Sequence, residues 1–283
     1  MKKIIKKNNF IKCALLISII TMSCQDENLK DNLDQRNTHA CENYLLFEKT
    51  IIDIEREIEH AFIATQTTKN LPNYTSLNSD TSNQDTLIID FGENNFLHPS
   101  LLDGQIGSLK KGQIIIIYNY FIYNINSIVS TTFSDFYINN NLLQGSMTSE
   151  NSGINQQGNL EFNLEINNMS LNTENGIINL NGAFTKELVS GSSSQYQYLD
   201  NIYHVLGSAE GNSVNNNNFI INITDTLKYN LSCFESSSCI ITKGKVTINP
   251  SIYNERLLDY GGEYCDCEVS AIIEGENYPL ILN

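Results

Sequence analysis

The residues best equipped for chemistry in this 283-residue chain are cysteines. Cys233 and Cys239 are separated by five residues, Cys265 and Cys267 by one. Four thiols in two close pairs can cross-link, hold a zinc ion, or lie buried as thiols. The spacings are not those of common zinc modules, so disulfides are the favoured chemistry if the chain leaves the reducing cytoplasm. With Cys13 and Cys24 of the N-terminal segment set aside from the seven cysteines, Cys41 makes the set five, which leaves at least one thiol unpaired or bonded to another chain. Cys265 and Cys267 continue the alternation of Val269 and Ala271, and Cys233 that of Leu227, Tyr229 and Leu231. All three are therefore expected to face a core. A bridge from Cys265 to Cys233 or to Cys239 is expected, and spacing does not choose between them.

The other reactive types form no constellation. His39, His60, His98 and His204 include no pair at metal-ligand spacing and no His-Glu-x-x-His pattern, so each reads as a surface or structural histidine. Gly191-Ser192-Ser193-Ser194 is loop composition, not a nucleophile elbow. There is no phosphate-binding glycine loop and no EF-hand pattern. Carboxylates such as Glu161 and Glu165 would serve a glycosidase at the right separation, but alternating outward carboxylates are ordinarily a solvated face. No catalytic residue, metal site or cofactor is assigned.

The N-terminus carries an address. Five lysines (Lys2, Lys3, Lys6, Lys7, Lys12) precede a short apolar run, Cys13 to Ile20, as in a secretory signal peptide. The run is too short to span a membrane, which takes about 20 apolar residues. Thr21-Met22-Ser23-Cys24 resembles a bacterial lipobox, with Thr21 where Leu is usual. The resemblance implies lipidation of Cys24; the alternative is a conventional signal peptide cut nearby. Gln25, Asp26 and Glu27 resemble the acidic signal that exports lipoproteins of Bacteroidota to the outer face of the outer membrane.

Removing residues 1–23 takes five of 17 basic residues and none of 32 acidic ones, so the remaining chain carries 12 against 32, a net charge of −20. That charge argues against nucleic acid and against adhesion to anionic lipid. Attachment then falls to acyl chains on Cys24, more than one being needed for stable anchoring.

These residues must be positioned by a β-rich scaffold. After the signal peptide (1–23), residues 24–37 read as a flexible acidic tether reaching about 20 Å. Residues 38–65 read as one amphipathic helix, with Tyr44, Phe47, Ile51, Ile54, Ile58 and Ala61/Phe62 at steps of three and four and a cap at Asn37 or Thr38. The repeat is too short for a coiled coil, so the helix is expected to pack on its own sheet. Residues 66–85 read as a linker loop.

From residue 86 to 283 the period is two. Leu160, Phe162, Leu164 and Ile166 alternate with polar residues, as do Phe219, Ile221 and Ile223, and Val269, Ala271 and Ile273. The fold class is mainly β: an antiparallel meander forming a sandwich or a strongly curved sheet, with the N-terminal helix packed on it. Asn175-Gly176 reads as a type I′ turn that sets Leu171 opposite Leu180 and Met169 opposite Gly182. The apolar phase slips between Ile166 and Met169, which calls for a bulge near Asn167-Asn168. Ile114 to Tyr118 does not alternate and is expected to be covered on both faces.

Asp90-Phe91-Gly92, Gly112-Gln113-Ile114, Thr131-Thr132-Phe133 with Phe136-Tyr137, Leu206 to Gly211, and Leu258 to Gly261 followed by Cys265-Asp266 occur in that order. Together they resemble a group of β-rich lipoproteins of Bacteroidota with no established activity. This chain departs from them in lacking a cysteine soon after Asp-Phe-Gly, and it has no Trp. The resemblance implies fold and location and no substrate. Asp85-Thr86-Leu87 and Asp225-Thr226-Leu227 resemble the O-glycosylation acceptor of the same bacteria, with Thr86 and Thr226 as the modified residues.

The leading functional reading is a lipid-anchored, cell-surface protein with a non-catalytic binding or structural role, its partner a polar glycan or peptide. The loops at 139–141, 151–159, 191–197 and 211–218, rich in Asn, Ser and Gly, are its expected binding surface. A surface enzyme acting on glycans, a carrier of lipid or another apolar ligand, and an outer-membrane barrel are the alternatives.

Overall fold

A computed structural model describes residues 37–67, 74–77, 84–97, 108–191, 197–237 and 239–281. The expected signal peptide, Cys24, the residues Gln25, Asp26 and Glu27 read as an export signal, His98 and most of the 191–197 loop lie outside the described residues. Among the described residues, one helix, α1 (His39–Thr67), is followed by β1 (Tyr74–Leu77), β2 (Asp85–Asp90), β3 (Phe96–Leu97), β4 (Leu109–Tyr118) and β5 (Ile128–Ile138). Then come β6 (Asn141–Ile154), β7 (Leu160–Thr173), β8 (Gly176–Ser190), β9 (Ile202–Asn212) and β10 (Asn218–Asn230). The chain ends with β11 (Ile241–Pro250), β12 (Arg256–Asp259), β13 (Glu268–Ile273) and β14 (Glu276–Ile281). Short 3₁₀ turns stand at Tyr198–Asp200 and Leu231–Glu235.

The fourteen strands among the described residues belong to one antiparallel sheet that follows the chain from β1 to β14, with β3 set aside against β4. It is a meander, as the period-two pattern predicts. Its inner face meets α1 on several sides. Phe62 packs edge-on to Tyr118 of β4, Glu55 pairs with Lys186 of β8, and Glu48 accepts from Tyr260 just after β12. The sheet is therefore curved around the helix.

Enclosure explains why α1 departs from a simple amphipathic stripe. Phe47, Ile54 and Ala61 are fully buried, and so, nearly, are Glu48, Asp53, Glu57 and His60 on its other sides. From His39 to Ile63 only His39, Glu42 and Leu46 are exposed. Polar groups buried this deeply need partners, and the sheet side and the helix's own Tyr44 supply them. Lys110 Nζ lies 2.7 Å from Glu57, Ser108 donates to Asp53 at 2.6 Å, and Tyr44 and Tyr260 donate to Glu48 at 2.8 and 2.6 Å.

The alternation is as expected in β7, where Phe162, Leu164 and Ile166 are buried, and in β13. The bulge stands where the phase slips: Asn168 has φ 48°, the β7–β8 register shifts between Ile166 and Met169, and Met169 and Leu171 are buried. Gly145 of β6 faces it at φ 101°, and a Cβ there would sit 2.4 Å from the Asn168 carbonyl oxygen, so only glycine fits.

Several expectations are corrected. The β7–β8 hairpin pairs Thr173 with Gly176 and Leu171 with Ile178, two residues from the expected register. Glu174 and Asn175 are the turn residues, and neither has positive φ; Gly176 does, at 135°. An ordinary turn followed by a glycine replaces type I′, and the Thr173 hydroxyl, which accepts from Asn175 N, helps to hold it. Ile114 and Ile116 are buried but Ile117 is 40% exposed, so only the helix side of β4 is covered. β1 lies within the stretch read as linker and pairs with β2. The stretch 151–159 is mostly strand up to Ile154, and Asn151 is fully buried.

Both cysteine pairs close, as Cys233–Cys265 and Cys239–Cys267. Cys233 is buried, but in a 3₁₀ turn, while Cys265 is exposed and Cys267 only half-buried. The expected core-facing phase fails for the latter two because β13 begins at Glu268, after them. Strand alternation does not extend into a loop. The bridges instead tie the β12–β13 connection to the β10–β11 connection. Cys41, the fifth thiol, is free and buried, and its burial pushes the thiol up to about 12.

Candidate functional site

Among the described residues, two spaces stand out for their ligand-binding side chains. The first is a cleft of about 750 Å³ beside the start of α1. The turns β5–β6, β7–β8 and β9–β10 converge there with the first helical turns. Six asparagines line it: Asn43, Asn139, Asn140, Asn141, Asn175 and Asn215. Positive φ at Asn139 (49°), Asn140 (66°) and nearby Asn216 (58°) accounts for part of this richness, because asparagine tolerates the left-handed region that tight turns require.

The six amides divide by role. Asn43 Oδ1 accepts from Val214 N at 2.8 Å, which pins the helix to the β9–β10 turn. Asn139 Oδ1 accepts from Leu109 N and Asn140 Oδ1 from the Asn95 amide. The side-chain amides of Asn141, Asn175 and Asn215 have no partner among the described residues. Three free amides with two carboxylates, Glu42 and Glu174, present donors and acceptors to a polar ligand. The volume lies within the range of small-molecule sites, about 300–1,000 Å³.

The second space, about 70 Å³, lies between the C-terminal half of α1 and strands β5 to β10. Its apolar walls include Val129, Met147, Phe162 and Phe234. Arg56 and Glu59 from α1, the Glu55–Lys186 ion pair at 2.6 Å, the hydroxyls of Thr131 and Ser149, and the hydroxyl-bearing rings of Tyr123 and Tyr203 also line it. Tyr123 donates to Glu59, and Asn201 Nδ2 donates to Tyr123 at 2.9 Å and to Tyr203 at 3.2 Å. Burial raises the Glu59 carboxyl to about 7, against the opposing hydrogen bond from Tyr123 and the charge of Lys186. Burial and the Glu59 charge also raise Tyr123 and Tyr203. Beside this space His60 is bonded to Tyr198. A further void of about 30 Å³ lies along Tyr44 and Glu48.

Of the sequence-derived site residues, the structure joins the four cysteines. Thr86 lies half-buried in β2, paired with Ile117, and Thr226 lies half-buried at an irregularity of β10. The loops 139–141 and 211–218 meet in the cleft, while the remnant of 151–159 is at the opposite end of the strands. Sequence reasoning missed Arg56, Glu59, Tyr123 and Lys186. Arg56 and Glu59 lie off the apolar stripe that predicts the helix, so nothing in their spacing marks them.

No protein-family model, no curated protein and no solved structure matches the chain. Among the described residues, no helix is long and apolar enough to cross a membrane, and no cluster of ligating side chains is arranged for a metal.

Proposed function

We propose that this is a lipid-anchored protein of the bacterial outer membrane, facing the cell exterior and binding a polar glycan or peptide without transforming it. The observation that carries the binding role is the asparagine-lined cleft, where three turns distant in sequence bring unpartnered amides together. Its acidic rim, Glu42 and Glu174, favours a neutral or cationic partner. Anchoring rests on the signal peptide and the cysteine at position 24, and exterior display on the acidic residues that follow it.

The interior speaks against a lipid carrier. α1 packs on the inner face of the sheet, and the two spaces found beside it among the described residues, about 70 and 30 Å³, are below the ~150 Å³ of an engineered cavity that takes up benzene. The apolar rows of the strands face the helix, the reverse of a barrel with a lipid-facing band. A glycan hydrolase is the second reading, because Glu42 and Glu174 line one cleft and such enzymes work with paired carboxylates.

Cys24→Ala should release the protein from membranes in folded form, and a continued need for detergent would remove the anchor from the proposal. The full chain in detergent, applied to glycan and peptide arrays, should bind a polar ligand and lose it on Asn175→Ala with Asn215→Ala. Turnover of a bound glycan, abolished by Glu42→Gln or Glu174→Gln, would replace binding with hydrolysis.

A further inference from the structure

The cavity at the C-terminal half of α1 has charge capacity that the fold does not use. The Arg56 guanidinium meets Asp53 at 3.3 Å and lies over the Phe234 ring at 4.8 Å. Among the described residues it has no other partner, which leaves most of its five N–H donors unbonded. Glu59 accepts from Tyr123 on Oε1, and no described residue donates to Oε2. Both residues line the same space. They stand three apart on one helix, where Cβ atoms are about 5–6 Å apart, yet they do not pair with each other. Lys186, the other cation of the cavity, is already held by Glu55 at 2.6 Å and lies over the Tyr203 ring.

We infer that this cavity binds a small zwitterion, an α-amino acid of about the size of glycine, with its carboxylate on Arg56 and its ammonium on Glu59. Half-satisfied groups of opposite charge at neighbouring positions match a ligand that carries both charges on adjacent carbons. Guanidinium meets carboxylate through two parallel hydrogen bonds. The ammonium supplies the donor that Glu59 Oε2 lacks. The size follows from the roughly 70 Å³ interior, which takes a few non-hydrogen atoms. The charged ends reach the mouth, where Arg56, Glu55 and Lys186 keep 12%, 22% and 14% side-chain exposure. Val129, Met147 and Phe162 wall the space, with Thr131 and Ser149 also on its lining, so its size, more than its polarity, limits the ligand's side chain.

Binding is proton-linked. Glu59 is faced by Tyr123 from the β4–β5 connection, Lys186 from β8, Tyr203 from β9, and Glu55 and Arg56 from α1. Its carboxyl is raised to about 7, so below that pH it is neutral and offers an ammonium no charge. Affinity should fall about tenfold per pH unit below that point.

The test is equilibrium dialysis of the detergent-solubilised full chain against radiolabelled glycine. Saturable binding of one glycine per chain is expected, competed by alanine less well and by valine hardly at all. Acetate and methylamine, each carrying half of the recognition, should compete at least about tenfold more weakly. Arg56→Gln and Glu59→Gln should each weaken binding about tenfold or more, with the folded state checked by melting. If Arg56→Gln does not fold, Arg56→Lys keeps the charge without the fork and should still lose most of the affinity. No saturable binding at millimolar glycine, equal competition by acetate or methylamine, or unchanged affinity in both variants would overturn the inference. Asn175→Ala with Asn215→Ala should leave glycine binding unchanged, which separates this site from the cleft.

Discussion

The cleft and the cavity use polar residues in opposite ways. At the cleft, amides stand on turns, exposed, and several have nothing to bond but water. Around α1, carboxylates and cations are enclosed by sheet and held in short contacts: Lys110 with Glu57, Tyr44 and Tyr260 with Glu48, Tyr123 with Glu59. The first arrangement contributes little to stability and is free to vary its ligand. The second ties the helix to the sheet at many points, because each buried charge left unpaired costs several kcal/mol. The comparison teaches that the helix is held in place by polar contacts as well as by Phe47, Ile54 and Phe62.

That contrast breaks first at its strongest pair. Lys110→Ala leaves the Glu57 carboxylate buried without its cation and should cost about 3–5 kcal/mol, measured by urea unfolding; a loss below about 1 kcal/mol would show that the pair does not hold the helix. The disulfides come next. Their loops span 32 and 28 residues, and replacing Cys239 and Cys267 by Ser should cost about 2–4 kcal/mol. An unchanged unfolding midpoint would mean that this bridge does not form.

The third prediction concerns Glu48. Burial raises its carboxyl from 4.5 to about 7, against the hydrogen bonds from Tyr260 and Tyr44. The folded state therefore holds the proton more tightly than the unfolded chain. Its contribution is fully present below about pH 4.5 and is lost as pH rises to about 7, a fall of roughly 2–3 kcal/mol. Glu59, raised in the same way, adds to the same window. Glu48→Gln should flatten the slope of stability against pH between 5 and 8; a slope equal to that of the unmutated protein would refute the assignment. The smallest stability effect belongs to the cleft. Asn175→Ala with Asn215→Ala, both at exposed positions, should change stability by no more than about 0.5 kcal/mol, and a larger loss would make those amides structural.

Much of this was written locally. Period-two alternation placed β7, β10 and β13, steps of three and four placed α1, and the phase slip between Ile166 and Met169 marked the bulge at Asn168. Each rests on which face of an element is apolar, a property of near neighbours in the chain. The crowding of asparagines into turns was also legible, because their backbone preference is local. Tertiary structure decided the rest. Whether the second face of α1 meets water or sheet depends on segments as far as 212 residues away, such as the one carrying Tyr260. The partner of each cysteine depends on two loops meeting, and strand phase misled at Cys265 and Cys267 because their strand had not yet begun. Arg56 and Glu59 lie off the apolar stripe of the helix, and only the sheet brings them to a shared cavity; a side chain's partners and its dielectric surroundings are set by residues that sequence spacing does not bring near.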